Sequence, residues 1–252
     1  MEDLRAIAES LTRNLRLRRA PVAVCLTDEV PQEVSAREGG RAPAGCVFWE
    51  EGTTRVFATG TADHELCAIG VHTHNLAQPS HSYASELGDV LKVMAGMEYV
   101  RDEDVAGIPV LERSRRHVIY APLGESPLPP DAVILFLDAA QGLVLTEAAQ
   151  QVDAGIPPAM GRPACAMVPQ AINSGRAALS LGCCGARAYV DALTDDVALW
   201  ALPGGKVGRY AERVEKLAAA NDTLGHFHEL RRRDVADGGT PTYGESLRRM
   251  KP

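Results

Sequence analysis

Val22-Ala23-Val24-Cys25-Leu26, bounded by Asp28 and Pro31, decides how the rest of the chain is read. Five consecutive apolar residues closed off by turn formers predict a short strand buried on both faces. On its N-terminal side, Leu4, Ile7, Ala8, Leu11 and Leu15 recur at three- and four-residue steps, one face of a helix that Pro21 terminates. On its C-terminal side, Arg37 to Ala44 is rich in Gly, Arg and Pro and reads as loop. Strands are expected at Arg55–Thr59, His117–Ala121, Ala132–Leu137 and Val197–Leu202, with further short apolar runs at Ala164–Val168 and Ala177–Leu181. Helices are expected over Ser85–Val100, over Ala139–Ala154 with Leu143, Leu145 and Ala148 inward, and over Tyr210–Ala220 and Thr223–Arg232. Short strands alternating with helices predict an α/β or α+β domain, a mixed sheet with flanking helices.

The strand at 22–26 has an echo. Pro21-Val22-Ala23-Val24 corresponds to Asp131-Ala132-Val133-Ile134, and the segments after the two strands run in the same order. First comes a cysteine, Cys46 or Cys165. Next is a short strand led by a basic residue, Arg55-Val56-Phe57-Ala58 or Arg176-Ala177-Ala178-Leu179. A second cysteine then sits in a glycine-flanked turn before a helix, in Leu66-Cys67-Ala68-Ile69-Gly70 or Gly182-Cys183-Cys184-Gly185. One reading is that any α/β chain yields such echoes. The sharper one is two similar halves, about 21–120 and 121–195, related by a pseudo-twofold that brings two cysteines from each to one axis. On that division residues 1–20 form an N-terminal helix, 21–217 the cysteine-containing domain, and 218–252 a C-terminal helix and tail.

Composition narrows the function. Lys and Arg total 26 against 33 Asp and Glu, a formal charge of −7, which argues against a nucleic-acid scaffold because phosphate contacts need a basic surplus. Aromatic residues are 5% of the chain, too few for stacking platforms. No apolar run approaches the roughly 20 residues of a membrane span, and Met1–Ala20 is too charged for a signal peptide, so a soluble cytoplasmic protein is expected. Six cysteines in 252 residues do not make a disulfide scaffold; in a reducing compartment they are free, catalytic or metal-bound. There is no GxGxxG, no GxxxxGK[ST] and no GxSxG, so a dinucleotide fold, a P-loop and a serine-hydrolase elbow lack support.

Cys25 lies within an apolar run and is expected in the core. Cys46, Cys67, Cys165 and Cys183 have Gly, Pro and polar neighbours and are expected in turns, where a thiol can ionise and bind a metal. Four thiolates from separate turns are what an iron–sulfur cluster, such as 4Fe-4S, or a tetrahedral zinc requires. Only one of two adjacent cysteines points easily at a given site, and Cys183 is preferred with Cys184 as the alternative. Asp63-His64 stands just before Cys67, which makes His64 a candidate acid–base or supporting group with Asp63 orienting it. Arg187, just past the Cys pair, is expected to offset thiolate charge. His64, His72, His74 and His81 lie close together in sequence, but His72 and His74 on a helix diverge by about 200°, so a solvated polar face is expected rather than a two-His metal site.

These residues carry a resemblance. Pro21-Val22-Ala23-Val24 with the later Cys46, the Asp63-His64-x-x-Cys67-x-x-Gly70 stretch, and Pro130-Asp131 leading through an apolar strand to Gln141 occur in order. Gly161-Arg162-Pro163-Ala164-Cys165 and Ser180-Leu181-Gly182-Cys183-Cys184-Gly185-Ala186-Arg187 complete the series. Together, from about residue 20 to about 217, they resemble the domain of unknown function 169 family. That family's last motif has one Cys before x-Gly-x-Arg or Gly-x-Arg, which leaves both Cys183 and Cys184 open. The resemblance implies the same four recurrent cysteines and no established activity. Three functions compete: an iron–sulfur redox protein or Lewis-acid enzyme on an unknown small molecule, closed with four thiolates or open at one iron with three; a zinc-binding module; and a metal-free thiol protein that binds a small molecule, with Cys183-Cys184 redox-active.

Overall fold

The computed structural model describes residues 3–79 and 82–249. Its strands are β1 (Val22–Thr27), β2 (Phe57–Gly60), β3 (His117–Pro122), β4 (Ala132–Asp138), β5 (Ala159–Met160), β6 (Ala178–Ser180) and β7 (Val197–Pro203). They form one mixed open sheet in the order β2-β3-β1-β4-β7-β6-β5. Its helices are α1 (Leu4–Leu15), α2 (Val47–Glu51), α3 (Thr61–His64), α4 (Ala68–Thr73), α5 (Tyr83–Gly96), α6 (Asp102–Ala106), α7 (Ala139–Val152), α8 (Met167–Ser174), α9 (Cys184–Tyr189), α10 (Val207–Ala236) and α11 (Tyr243–Arg249). An α/β mixed sheet with flanking helices is therefore what the chain builds. Among the described residues no helix is long and apolar enough to cross a membrane.

The sheet reads the same outward from its centre. β1 and β4 pair antiparallel with Ala23 opposite Val133. From there β3 and β2 lie on one side, β7 and β6 on the other, every step antiparallel. The correspondence extends to single bonds. Pro122 ends β3 opposite Val22, as Pro203 ends β7 opposite Ala132, and a 3₁₀ turn comes after each. The next amide, Leu123 or Gly204, donates to the carbonyl of Pro21 or Asp131. At the outer edges Ala36 bridges Ala58 in parallel, as Met160 does Leu179. A twofold through a directly opposed antiparallel pair stands perpendicular to the sheet, so it exchanges halves without exchanging faces.

Period-two alternation divides the core between those faces. Val22, Val24, Tyr120, Ala132, Ile134 and Ala201 face a first layer holding Phe48 and Trp49 of α2, Val71 of α4, Val168 of α8 and Val190, just beyond α9. Ala23, Cys25, Ile119, Val133, Leu135 and Leu202 face α1, α7 and α10. Cys25 is thus in the core, on the second face.

Three readings are corrected. Leu143 is half exposed, because the inward face of α7 is Leu145, Ala148, Ala149 and Val152, at i, i+3, i+4 and i+7. Tyr210–Ala220 and Thr223–Arg232 belong to the single helix α10, and Asp222 at the expected break pairs instead with Arg16 at 3.0 Å. The 217/218 boundary falls inside that helix. α5 forms where expected, but buries none of its residues and leaves Val90 and Val93 exposed.

On the second face, Asp153 ties three elements together. Its buried carboxylate accepts from Tyr210 Oη at 2.8 and 2.9 Å and from the Ala177 amide at 3.0 Å, and Lys206 Nζ stands at 3.4 Å. Removing one partner of a buried charged network strands the others. Asp153→Ala is expected to cost on the order of 3 kcal/mol in a denaturant titration, with Asp153→Asn recovering part of it. A change within about 0.5 kcal/mol would show that solvent replaces the carboxylate.

Candidate functional site

Each of the four cysteines singled out from the sequence stands at the start of a helical segment. Cys46 immediately precedes α2, Cys67 precedes α4 and Cys183 precedes α9, while Cys165 lies in the 3₁₀ turn Ala164–Ala166 that leads into α8. A helix start leaves backbone N–H groups without intrahelical acceptors, a favourable setting for a thiolate. At Cys46 its own amide and that of Val47 do favour the thiolate. Because the pseudo-twofold preserves faces, all four sit on the first layer: Cys46 within its core, Cys67, Cys165 and Cys183 packed against it.

The four thiols lie within electrostatic reach of one another. Burial pushes Cys46 up to about 12, and charge at Cys67 and at Cys183 pushes the same way. Cys165 is raised further, by burial first and then by Cys67, Cys183 and Cys46, against a hydrogen bond from Thr73 that favours its thiolate. Cys184 is exposed, whereas Cys183 is partly buried and packs against the core layer. Gly70 permits the close packing of Cys67: a Cβ there would stand 2.9 Å from Cys67 Sγ. Among the described residues no three His, Cys, Asp or Glu side chains are already drawn to metal-ligand spacing.

The histidines differ from the sequence expectation. His64 and His74 are buried, not solvated, with ring centroids 6.3 Å apart. Thr59 donates its one hydroxyl hydrogen to the Val118 carbonyl at 3.1 Å, so its oxygen accepts from His64 Nε2 at 3.0 Å. His74 Nδ1 stands 3.1 Å from the Gly70 carbonyl, which can only accept, so Nδ1 carries the proton. Both rings are neutral, with bare lone pairs at His64 Nδ1 and His74 Nε2. Desolvation holds His64 down at about 3, aided by the charges of His74 and Arg37, and His74 down at about 4 against the Gly70 hydrogen bond. His72 is half-buried, against the Tyr83 hydroxyl at 3.1 Å. His81 lies outside the described residues.

Asp63 does not orient His64. Its carboxylate caps α3 by accepting from the Gly60 amide at 2.8 Å, and Thr59 orients the imidazole. Nor is Arg187 a counter-charge. Its exposed guanidinium donates to the carbonyls of Leu181, Thr194 and Val197, which pins the turn that presents Cys183.

Sequence reasoning missed Trp49, Thr59, Thr73 and Tyr120. Tyr120 is fully buried on β3, its ring 5.5 Å from Phe57 and 5.9 Å from Phe48, and charge at Cys46, Cys67 and Cys165 bears on its hydroxyl. The Trp49 N–H lies near enough to favour the phenolate, yet neither Trp49 Nε1 nor Tyr120 Oη completes a hydrogen bond. With His64 Nδ1 and His74 Nε2 these make, among the described residues, four buried polar atoms lacking a protein partner, all in the first half and all in the cysteine layer. The signal that could have found two of them is the echo itself. Three residues past Cys46 is Trp49, but three past Cys165 is Val168; the ladder position of Tyr120 is filled by Ala201 in the other half.

The donor set decides what could be held. Four thiols with no carboxylate among them suit a thiophilic ion or an iron–sulfur cluster, not Mg²⁺ or Ca²⁺. Unpaired Trp and Tyr donors beside them suit a group carrying negative charge. By residue type, though not by present spacing, the donors match such a group.

No curated protein and no solved structure matches this chain. The family model for DUF169, described as an uncharacterised family, ArCR, matches residues 10–213 of 252, a span that holds all four cysteines. The chain belongs to the domain of unknown function 169 family.

Proposed function

We propose that this protein holds an iron–sulfur cluster through Cys46, Cys67, Cys165 and Cys183, two ligands from each half, as a redox centre or as a Lewis-acid centre for a small molecule. The observation that carries the reading is the set of four thiols packed into one layer, on one face of a sheet whose halves repeat the same strand order. Burial raises the Cys46 and Cys165 thiols, which makes these two poor free nucleophiles near neutral pH. Such a cluster, when bound, supplies one-electron transfer, or a Lewis acid if one iron is left without its thiolate. Around it the chain's own residues would act by position. The Cys46 and Val47 amides favour the Cys46 thiolate, and Arg187 fixes the turn before α9.

Anaerobic reconstitution with iron and sulfide tests this. The wild type should turn brown with a broad band at about 400 nm, and iron and sulfide should be found together. Cys46→Ser, Cys67→Ser, Cys165→Ser and Cys183→Ser should each lose most of the bound iron, while Cys25→Ser and Cys184→Ser should keep it. Stoichiometric zinc with no sulfide would favour the zinc reading. Absence of any metal in all preparations would sink both.

A further inference from the structure

The two halves supply equal numbers of thiols but unequal surroundings. Tyr120 faces the cysteine layer from β3 opposite Val24, while Ala201, its counterpart on β7, stands opposite Ile134. Trp49 lies three residues beyond Cys46, and Val168 three beyond Cys165. One side of the site thus carries two buried donors without acceptors, and the corresponding side carries aliphatic groups. A buried O–H or N–H left unmade costs about 1–3 kcal/mol. A fold that keeps Tyr120 and Trp49 there, where Phe would pack as well, has a use for the donors.

We infer that Tyr120 is a positioning residue whose hydroxyl donates to the sulfur of the cysteine-held group, with the Trp49 N–H a second unpartnered donor on the same side, and that this bond sets how readily the group accepts an electron. The inference rests on the cluster reading above. A hydrogen bond to sulfur becomes stronger as negative charge accumulates there, so it favours the reduced state. The Tyr120 hydroxyl has no protein acceptor among the described residues, and charge at Cys46, Cys67 and Cys165 bears on it most after burial.

Tyr120→Phe keeps the ring and removes only the donor. In reconstituted protein the midpoint potential, measured by dye-mediated titration with dithionite, should move to a more negative value, with iron and sulfide content unchanged. Trp49→Phe should move it the same way by less. In the metal-free protein the same Tyr120→Phe change should raise the melting temperature, because it deletes an unpaired buried hydroxyl. A purely structural tyrosine predicts the reverse pattern: an unchanged potential and equal destabilisation with and without the cluster. A coloured Tyr120→Phe protein with the wild-type potential would overturn the inference and leave the cluster reading standing. A colourless wild type would overturn the cluster reading, and this inference with it.

Discussion

Gly204→Ala is expected to remove most of this protein's stability. The glycine opens the 3₁₀ turn after β7, and its amide donates to the Asp131 carbonyl at 2.9 Å, which locks the turn against the start of β4. A Cβ there would sit 1.7 Å from the Pro130 carbonyl oxygen and 2.5 Å from its carbon. Both are backbone atoms, so no side chain can swing aside. Relief requires moving either the turn or the entry to β4, and β4 is paired on both edges. The cost should exceed about 4 kcal/mol, in the exceptional tail of single substitutions, and lower the melting temperature by more than about 10 °C. Gly205→Ala meets nothing within 4 Å and serves as the control, with a change inside about 0.5 kcal/mol. Equal melting of the two variants would show that the turn is softer than its packing implies. The matching position in the first half is Leu123, fully buried, so the demand for glycine belongs to the second half alone.

Acid should unfold the metal-free protein in a manner traceable to two rings. Unfolded, His64 and His74 titrate at about 6.5. Folded, they resist protonation down to about 3 and about 4, chiefly through burial. Their folded values are depressed, so between these limits the unfolded chain binds protons that the folded one does not. Their contribution is whole above about pH 6.5 and is lost as pH falls, at about 1.4 kcal/mol per pH unit for each ring. At about pH 4.5 the two together remove about 5 kcal/mol, a large part of the roughly 5–15 kcal/mol typical of a domain. Nitrogen NMR of the folded protein at about pH 5.5 should find both rings neutral, protonated at Nε2 in His64 and at Nδ1 in His74. An imidazolium signal from either ring at that pH would refute the assignment.

The strands were legible because their apolar runs are short and sharply bounded. β1, β3, β4 and β7 fall within a residue or two of the runs that announce them. Loop neighbours correctly set Cys67, Cys165 and Cys183 apart from the core, but Cys46, also expected in a turn, is buried like Cys25. What stayed hidden depends on contacts distant in sequence. His64 reads as polar and therefore solvated until Thr59 and Val118 are seen to bury it. Asp63 beside His64 suggests a catalytic pair until its carboxylate is found capping a helix. Tyr120 lies in a strand pattern in which an aromatic residue is expected for packing alone, and only its unpaired hydroxyl separates it from Phe57.

The seam between the halves has a mechanical consequence. β1 and β4 share three paired positions, whereas β1 shares six with β3 and β4 shares seven with β7. Fewer rungs hold this seam than hold its neighbours on either side, so the four central strands β3, β1, β4 and β7 should part along the midline. The thiols straddle that line, two to a side. Anything they grip in common acts as a rivet across that joint, and its loss should show first as faster amide exchange at Val22 and Val24, whose backbone groups point toward β4.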